Sequence, residues 1–116
     1  MRQVAWLGSS RKDVAAFPDD ARRRAGYELY LVQTGVEPSD WKPMPGVGLG
    51  VQEIRIHTKL EHRIMYVTRL EEAIYVLHAF EKKTRKTGKD DVELARSRLR
   101  ELLNARRAAG KTRKRK

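Results

Sequence analysis

Val51-Gln52-Glu53-Ile54-Arg55-Ile56-His57-Thr58, then Lys59-Leu60-Glu61, then His62 to Leu70, is the stretch on which the fold turns. From Val51 to Thr58 the residues alternate. Gln52, Ile54, Ile56 and Thr58 take one side, and Val51, Glu53, Arg55 and His57 the other. A period of two belongs to a strand, whose successive side chains leave opposite faces. Lys59-Leu60-Glu61 is a tight link, so His62–Leu70 returns beside the first run. Glu71-Glu72 is the next turn and Ala73–Glu81 the third run. Links this short make an antiparallel meander, because parallel neighbours need a long crossover.

Working outward toward the N-terminus, Glu37 to Gly50 holds Pro38, Pro43, Pro45, Gly46, Gly48 and Gly50 and reads as a loop without regular structure. Gly46-x-Gly48-x-Gly50 is not a dinucleotide fingerprint, since it lacks the following helix and the third-glycine spacing. Before it, Ala21, Ala25, Leu29 and Val32 recur at helical spacing, opened by Pro18-Asp19-Asp20 and closed by Gly35. A shorter helix over Arg11–Phe17, capped by Ser9 or Ser10, precedes it and makes a helical hairpin. Gln3–Leu7 is a first short strand carrying Trp6, expected in the core.

Toward the C-terminus, Thr87-Gly88-Lys89-Asp90 resembles a capping box with Asp in place of Glu. Val92, Ala95, Leu99, Leu102 and Leu103 then form an apolar helical stripe, with Arg96, Arg98, Arg100, Arg106 and Arg107 largely off it. That helix is expected to end at Gly110. The order is β-α-α-β-β-β-α, an α+β domain over residues 1–109 with a mostly antiparallel sheet and a helical hairpin on one face. Residues 110–116 form a basic tail, expected to be disordered. The last helix is free to dock on a sheet edge, cross the other face, or serve a partner.

A chain of 116 residues suits one domain. Lys and Arg number 26 against 15 Asp and Glu, a formal net charge of +11. The excess is asymmetric: residues 1–50 carry seven basic and six acidic side chains, and residues 51–116 nineteen and nine. A chain half with such a surplus favours a polyanionic partner. The absence of cysteine excludes disulfides and thiolate metal sites. No apolar run is long enough for a bilayer, and Met1 to Gly8 turns polar too soon for a signal peptide, so the expectation is a cytoplasmic protein with no membrane partner.

Three patterns carry a resemblance to a known family: Gly46-Val47-Gly48-Leu49-Gly50 running into Val51-Gln52-Glu53-Ile54-Arg55, then Arg63-Ile64-Met65-Tyr66, then Val76-Leu77-His78-Ala79-Phe80-Glu81-Lys82-Lys83-Thr84-Arg85-Lys86-Thr87. In order and spacing the chain resembles the RelE/ParE superfamily of toxins from type II toxin–antitoxin pairs, and most closely its phage-derived, HigB-like branch. The resemblance implies a small RelE-like fold. It also implies a ribosome-associated endoribonuclease that cuts messenger RNA and is neutralised by a cognate antitoxin, commonly a helix-turn-helix protein. A ParE-like alternative binds DNA gyrase without catalysis. A plain nucleic-acid-binding phage accessory protein is the third reading.

A metal-independent ribonuclease uses the RNA 2′-hydroxyl as nucleophile. The protein must remove that proton, stabilise charge at phosphorus and protonate the leaving 5′-oxygen. Arg and Lys suit the second task. Arg55 and Arg63 fall on neighbouring strands, and the resemblance places Arg63 at the scissile phosphate and Lys83 where RelE carries a second catalytic arginine. Glu53, on the face of Arg55, is either a general base or an ion-pair partner that orients Arg55. His57 shares that face, and His57, His62 and His78 are the candidates for acid–base work, since an imidazole's charge can change near neutral pH. His78, inside an apolar run, reads as structural. Lys59, Arg69, Lys82, Arg85 and Lys86 are the expected RNA-binding cations. RelE's tyrosine beyond the last strand has no counterpart here, since no aromatic residue follows Phe80. Trp41 either packs the loop or stacks a base. No His-Glu-x-x-His or comparable cluster is present, and neither metal nor cofactor is expected.

Overall fold

The computed structural model describes residues 1–114, with side chains placed through Gly110. The elements are β1 (Val4–Trp6), α1 (Ser10–Ala15), α2 (Asp19–Gln33), β2 (Trp41–Pro43), β3 (Val51–His57), β4 (Glu61–Val67), β5 (Ile74–Glu81) and α3 (Lys89–Lys114). One sheet has the order β1-β5-β4-β3-β2. Only β1 pairs in parallel, with β5; β2 through β5 form the antiparallel meander. The fold is the expected α+β class, mostly antiparallel, with a helical hairpin and a C-terminal helix.

Both sheet faces are buried. Ile54, Ile56, Ile64, Tyr66, Ile74 and Val76 meet Val14, Phe17, Ala21, Ala25 and Leu29 of the hairpin. On the other face Val51, Met65, Val67 and Leu77 meet Ala95 and Leu99, flanked by Val92, Leu102 and Leu103. The apolar stripe read from the sequence is therefore the surface that docks α3 across the second face. Each large aliphatic side chain buried this way is worth about 1.5–3 kcal/mol. A bulge where Leu77 is skipped between the pairs Met65–His78 and Tyr66–Val76 puts both Leu77 and His78 on the α3 side.

Four sequence expectations are corrected. The Glu37–Gly50 loop contains β2, whose Trp41, Lys42 and Pro43 pair with Ile54, Glu53 and Gln52. Its proline is tolerated because β2 is an edge strand. Trp41 is thereby half-buried on the sheet. Thr87 does not cap α3, because its hydroxyl donates to Glu53 Oε2 at 3.2 Å. Ser9 occupies the N-cap of α1, but its hydroxyl goes to the Asp13 carboxylate at 2.7 Å instead of a backbone amide. Finally, α3 continues through Gly110 to Lys114. The expected disorder of the tail concerns residues whose side chains, and at 115–116 whose backbone, lie outside the described residues.

Candidate functional site

β3 and β4 face each other in strict register, with Glu53 opposite Met65, Arg55 opposite Arg63 and His57 opposite Glu61. Directly paired residues share a face. Arg63 also pairs with Phe80 of β5, and Glu53 with Lys42 of β2. All of these lie on the α3 face, at the end beyond the start of α3. The helix meets this face first at Asp91, whose carboxylate binds His78 Nε2 at 2.7 Å.

Glu53 is the centre of this end. Its side chain is fully buried and lies 3.7 Å from Arg63 Nε and 4.0 Å from Arg55 Nε. Glu53 Oε1 and the two Nε atoms form no hydrogen bond among the described residues, so they interact as charges across a short gap. The other carboxylate oxygen takes the Thr87 hydroxyl, which draws the segment after β5 across the site. The same segment is tied at its start by Lys82 N, which donates to Glu61 O at 2.7 Å. Between these anchors it folds on itself through Lys82 Nζ donating to Arg85 O at 2.6 Å. Lys83, Arg85 and Lys86 are left exposed beside the carboxylate–guanidinium cluster.

Arg63 differs from its expected part. Its side chain is only 5% exposed, and Nη1 donates to Glu61 Oε1 and to His62 O, both at 3.0 Å. It is a buried counterion to Glu53 and Glu61, which does not suit direct contact with a phosphate. Arg55 is 33% exposed and reaches solvent. His57, at the sheet end, is held between Asp40 Oδ2 at 2.6 Å and Glu61 at 2.8 Å. Hydrogen bonds to Asp40 first, then Glu61, raise its pKa above 6.5. The same histidine lowers the pKa of Glu61.

Of the expected site residues, the structure brings Glu53, Arg55, His57 and Arg63 together and lays the segment holding Lys82, Lys83, Arg85 and Lys86 over them. Lys59 sits in the β3–β4 turn at this end. Arg69 does not join them: it follows the far end of β4, about 20–25 Å away along the strand. There its Nε donates to Leu49 O at 2.9 Å. The antiparallel return puts the two flanks of β4 at opposite sheet ends. His62 points to the hairpin side, against Phe17, and burial lowers its pKa. His78 is buried, stacked on Phe80 and bound to Asp91, as a structural histidine would be. Sequence reasoning missed Asp40, Glu61, Thr87 and Asp91. Only Glu61 left a signal, four residues from His57 across a tight turn.

The chain is a small basic α+β protein whose fold is consistent with a small RelE-like one, and one end of its sheet presents cations around a buried carboxylate. The chain belongs to the family described as Phage derived protein Gp49-like (DUF891), which matches residues 12–100. No curated protein matches it. Among the described residues no helix is long and apolar enough to cross a membrane.

Proposed function

We propose that this chain is a toxin of the RelE/HigB kind, a metal-independent endoribonuclease that cuts messenger RNA at the ribosome. The observation that carries the reading is the convergence of Arg55, His57, Glu53 and Arg63 with the Lys82–Lys86 segment at one end of the sheet. In this mechanism Arg55 meets the scissile phosphate, where negative charge grows in the transition state. The exposed lysines and Arg85 hold the flanking backbone. The attacking 2′-hydroxyl loses its proton to solvent water, and His57, whose charged form Asp40 and Glu61 favour, donates a proton to the leaving 5′-oxygen. Glu53 and Arg63 are positioning residues: the buried carboxylate aims Arg55, and Arg63 fixes Glu53 and Glu61. A co-encoded helix-turn-helix antitoxin would neutralise the toxin.

Two observations favour a second reading, a toxin that binds gyrase without catalysis. Arg63 is already neutralised by two carboxylates, and no aromatic side chain follows Phe80 to stack a base. Induced expression in bacteria separates the two. The nuclease reading expects rapid loss of translation, with new message ends that disappear in Arg55→Ala and His57→Ala. Filamentation with DNA damage and intact messages would replace it with the gyrase reading. Harmless expression of folded protein would overturn both.

A further inference from the structure

A second basic surface lies away from this site, on the solvent side of α3. Arg96, Arg100, Asn104 and Arg107 line a groove of about 480 Å³ floored by Val47 and Leu99. No carboxylate lines it. These positions follow at intervals of four, four and three residues, so they form one row on the helix. From Arg96 to Arg107 the row runs about 16 Å at about 1.5 Å per residue.

The arginines of α3 divide by what they do. Arg98 is spent on the fold, donating to Leu77 O at 2.9 Å and Ser9 Oγ at 3.2 Å. Arg106 is bound by both oxygens of Glu72, at 2.6 and 3.1 Å. Arg96 touches only the exposed carbonyl of Gly46. Arg100 and Arg107 have no hydrogen bond or ion pair among the described residues, and all three groove arginines are exposed. In sequence Lys111 and Lys114 follow Arg107 by four and seven residues. No acid interrupts the row, and Arg100 and Arg107 hold charge that folding does not use.

We infer that this row is a second nucleic-acid surface that tracks the phosphodiester backbone of a base-paired RNA, separate from the proposed cleavage end. The ligand class follows from charge complementarity. Guanidiniums along one helix face, with no acid among them, suit a run of backbone phosphates, and they read shape and charge instead of sequence. The surface would hold the protein on structured RNA while the far end of the sheet engages a single strand. The inference rests on the RNA-directed reading only for the class of ligand.

The test is equilibrium binding of the full chain to an RNA hairpin with a stem of about 20 base pairs, at several salt concentrations. Cleavage is not part of the readout, so its outcome is independent of the nuclease proposal. Each lost phosphate contact removes about 0.9 from the log–log salt slope of a duplex. Arg96→Gln, Arg100→Gln and Arg107→Gln together should lower that slope by about 2.7. The affinity lost between about 50 and 200 mM salt should therefore shrink about 40-fold relative to the unaltered chain. Should the triple variant melt early, because Arg96 also holds Gly46, the Arg100→Gln/Arg107→Gln pair should still lower the slope by about 1.8. A control replacing Arg11, Lys12 and Arg23 with Gln removes equal charge from the hairpin side. An unchanged slope in the row variants, or an equal fall in the control, overturns the inference. So does unchanged RNA binding accompanied by lost binding of an acidic peptide, which would make the row a protein-docking surface.

Discussion

Replacing Glu53 with Gln tests the organisation of the candidate site most directly. The amide keeps the shape of the side chain, and its oxygen can still accept the Thr87 hydroxyl, so the change removes mainly the charge. Arg63, 5% exposed, then loses one of its two carboxylates. Removing one partner of a buried ion pair costs about 3–5 kcal/mol when nothing else compensates. Here Glu61 still holds Arg63 at 3.0 Å, and Arg55, 33% exposed, can turn toward water. The expected loss is therefore smaller, about 2–3 kcal/mol, or about 10 °C in Tm for a domain of this size. Urea denaturation should show a midpoint about 1–2 M lower with an unchanged slope. The Glu53→Gln/Arg63→Met double variant should recover part of the loss, with a coupling of about 1–2 kcal/mol. Single effects that add within about 0.5 kcal/mol, or a Glu53→Gln midpoint equal to that of the unaltered chain, would show that Glu53 does not organise these arginines.

Two further predictions concern the same sheet face. Because His57 has its pKa raised above 6.5, its ion pairs contribute stability below pH 6.5, and this is lost as pH rises through the folded-state value. An NMR titration should place His57 above 6.5 and show it falling in Asp40→Asn; a His57 titrating at or below 6.5 in the unaltered chain refutes the clamp. Gly8 has φ +54°, and a Cβ there would lie 2.5 Å from the Arg98 guanidinium. Gly8→Ala should cost about 1–3 kcal/mol in urea denaturation by adding backbone strain and displacing Arg98 from Leu77 and Ser9, whereas equal stability would mean the chain relaxes freely there.

Much of the fold is legible in the sequence because its signals are local. The alternation from Val51 to His57 places Glu53, Arg55 and His57 on one face, and the short links force the meander that sets Arg55 opposite Arg63. The α3 stripe is equally plain. β2 is not, because three residues ending on a proline carry no periodicity and pair only when β3 offers an edge. The site is half legible. The residue types and their shared face follow from the period of two. The pairing of Arg63 with Glu53 across two strands, and the reach of Thr87 back to Glu53, depend on how separate elements come together.

The sequence by itself determined the α+β class, the antiparallel meander and the concentration of positive charge in the second half. These follow from periodicity and composition, which the chain carries residue by residue. Only the tertiary structure decided which cations gather and which are neutralised. Arg55 and the Lys82–Lys86 segment were brought to one end of the sheet, Arg69 was carried to the other, Arg63 was buried, and Arg96, Arg100 and Arg107 were left in solvent. The reason is that a charge is defined by its neighbours, and its neighbours are set by the register and docking of elements far apart along the chain.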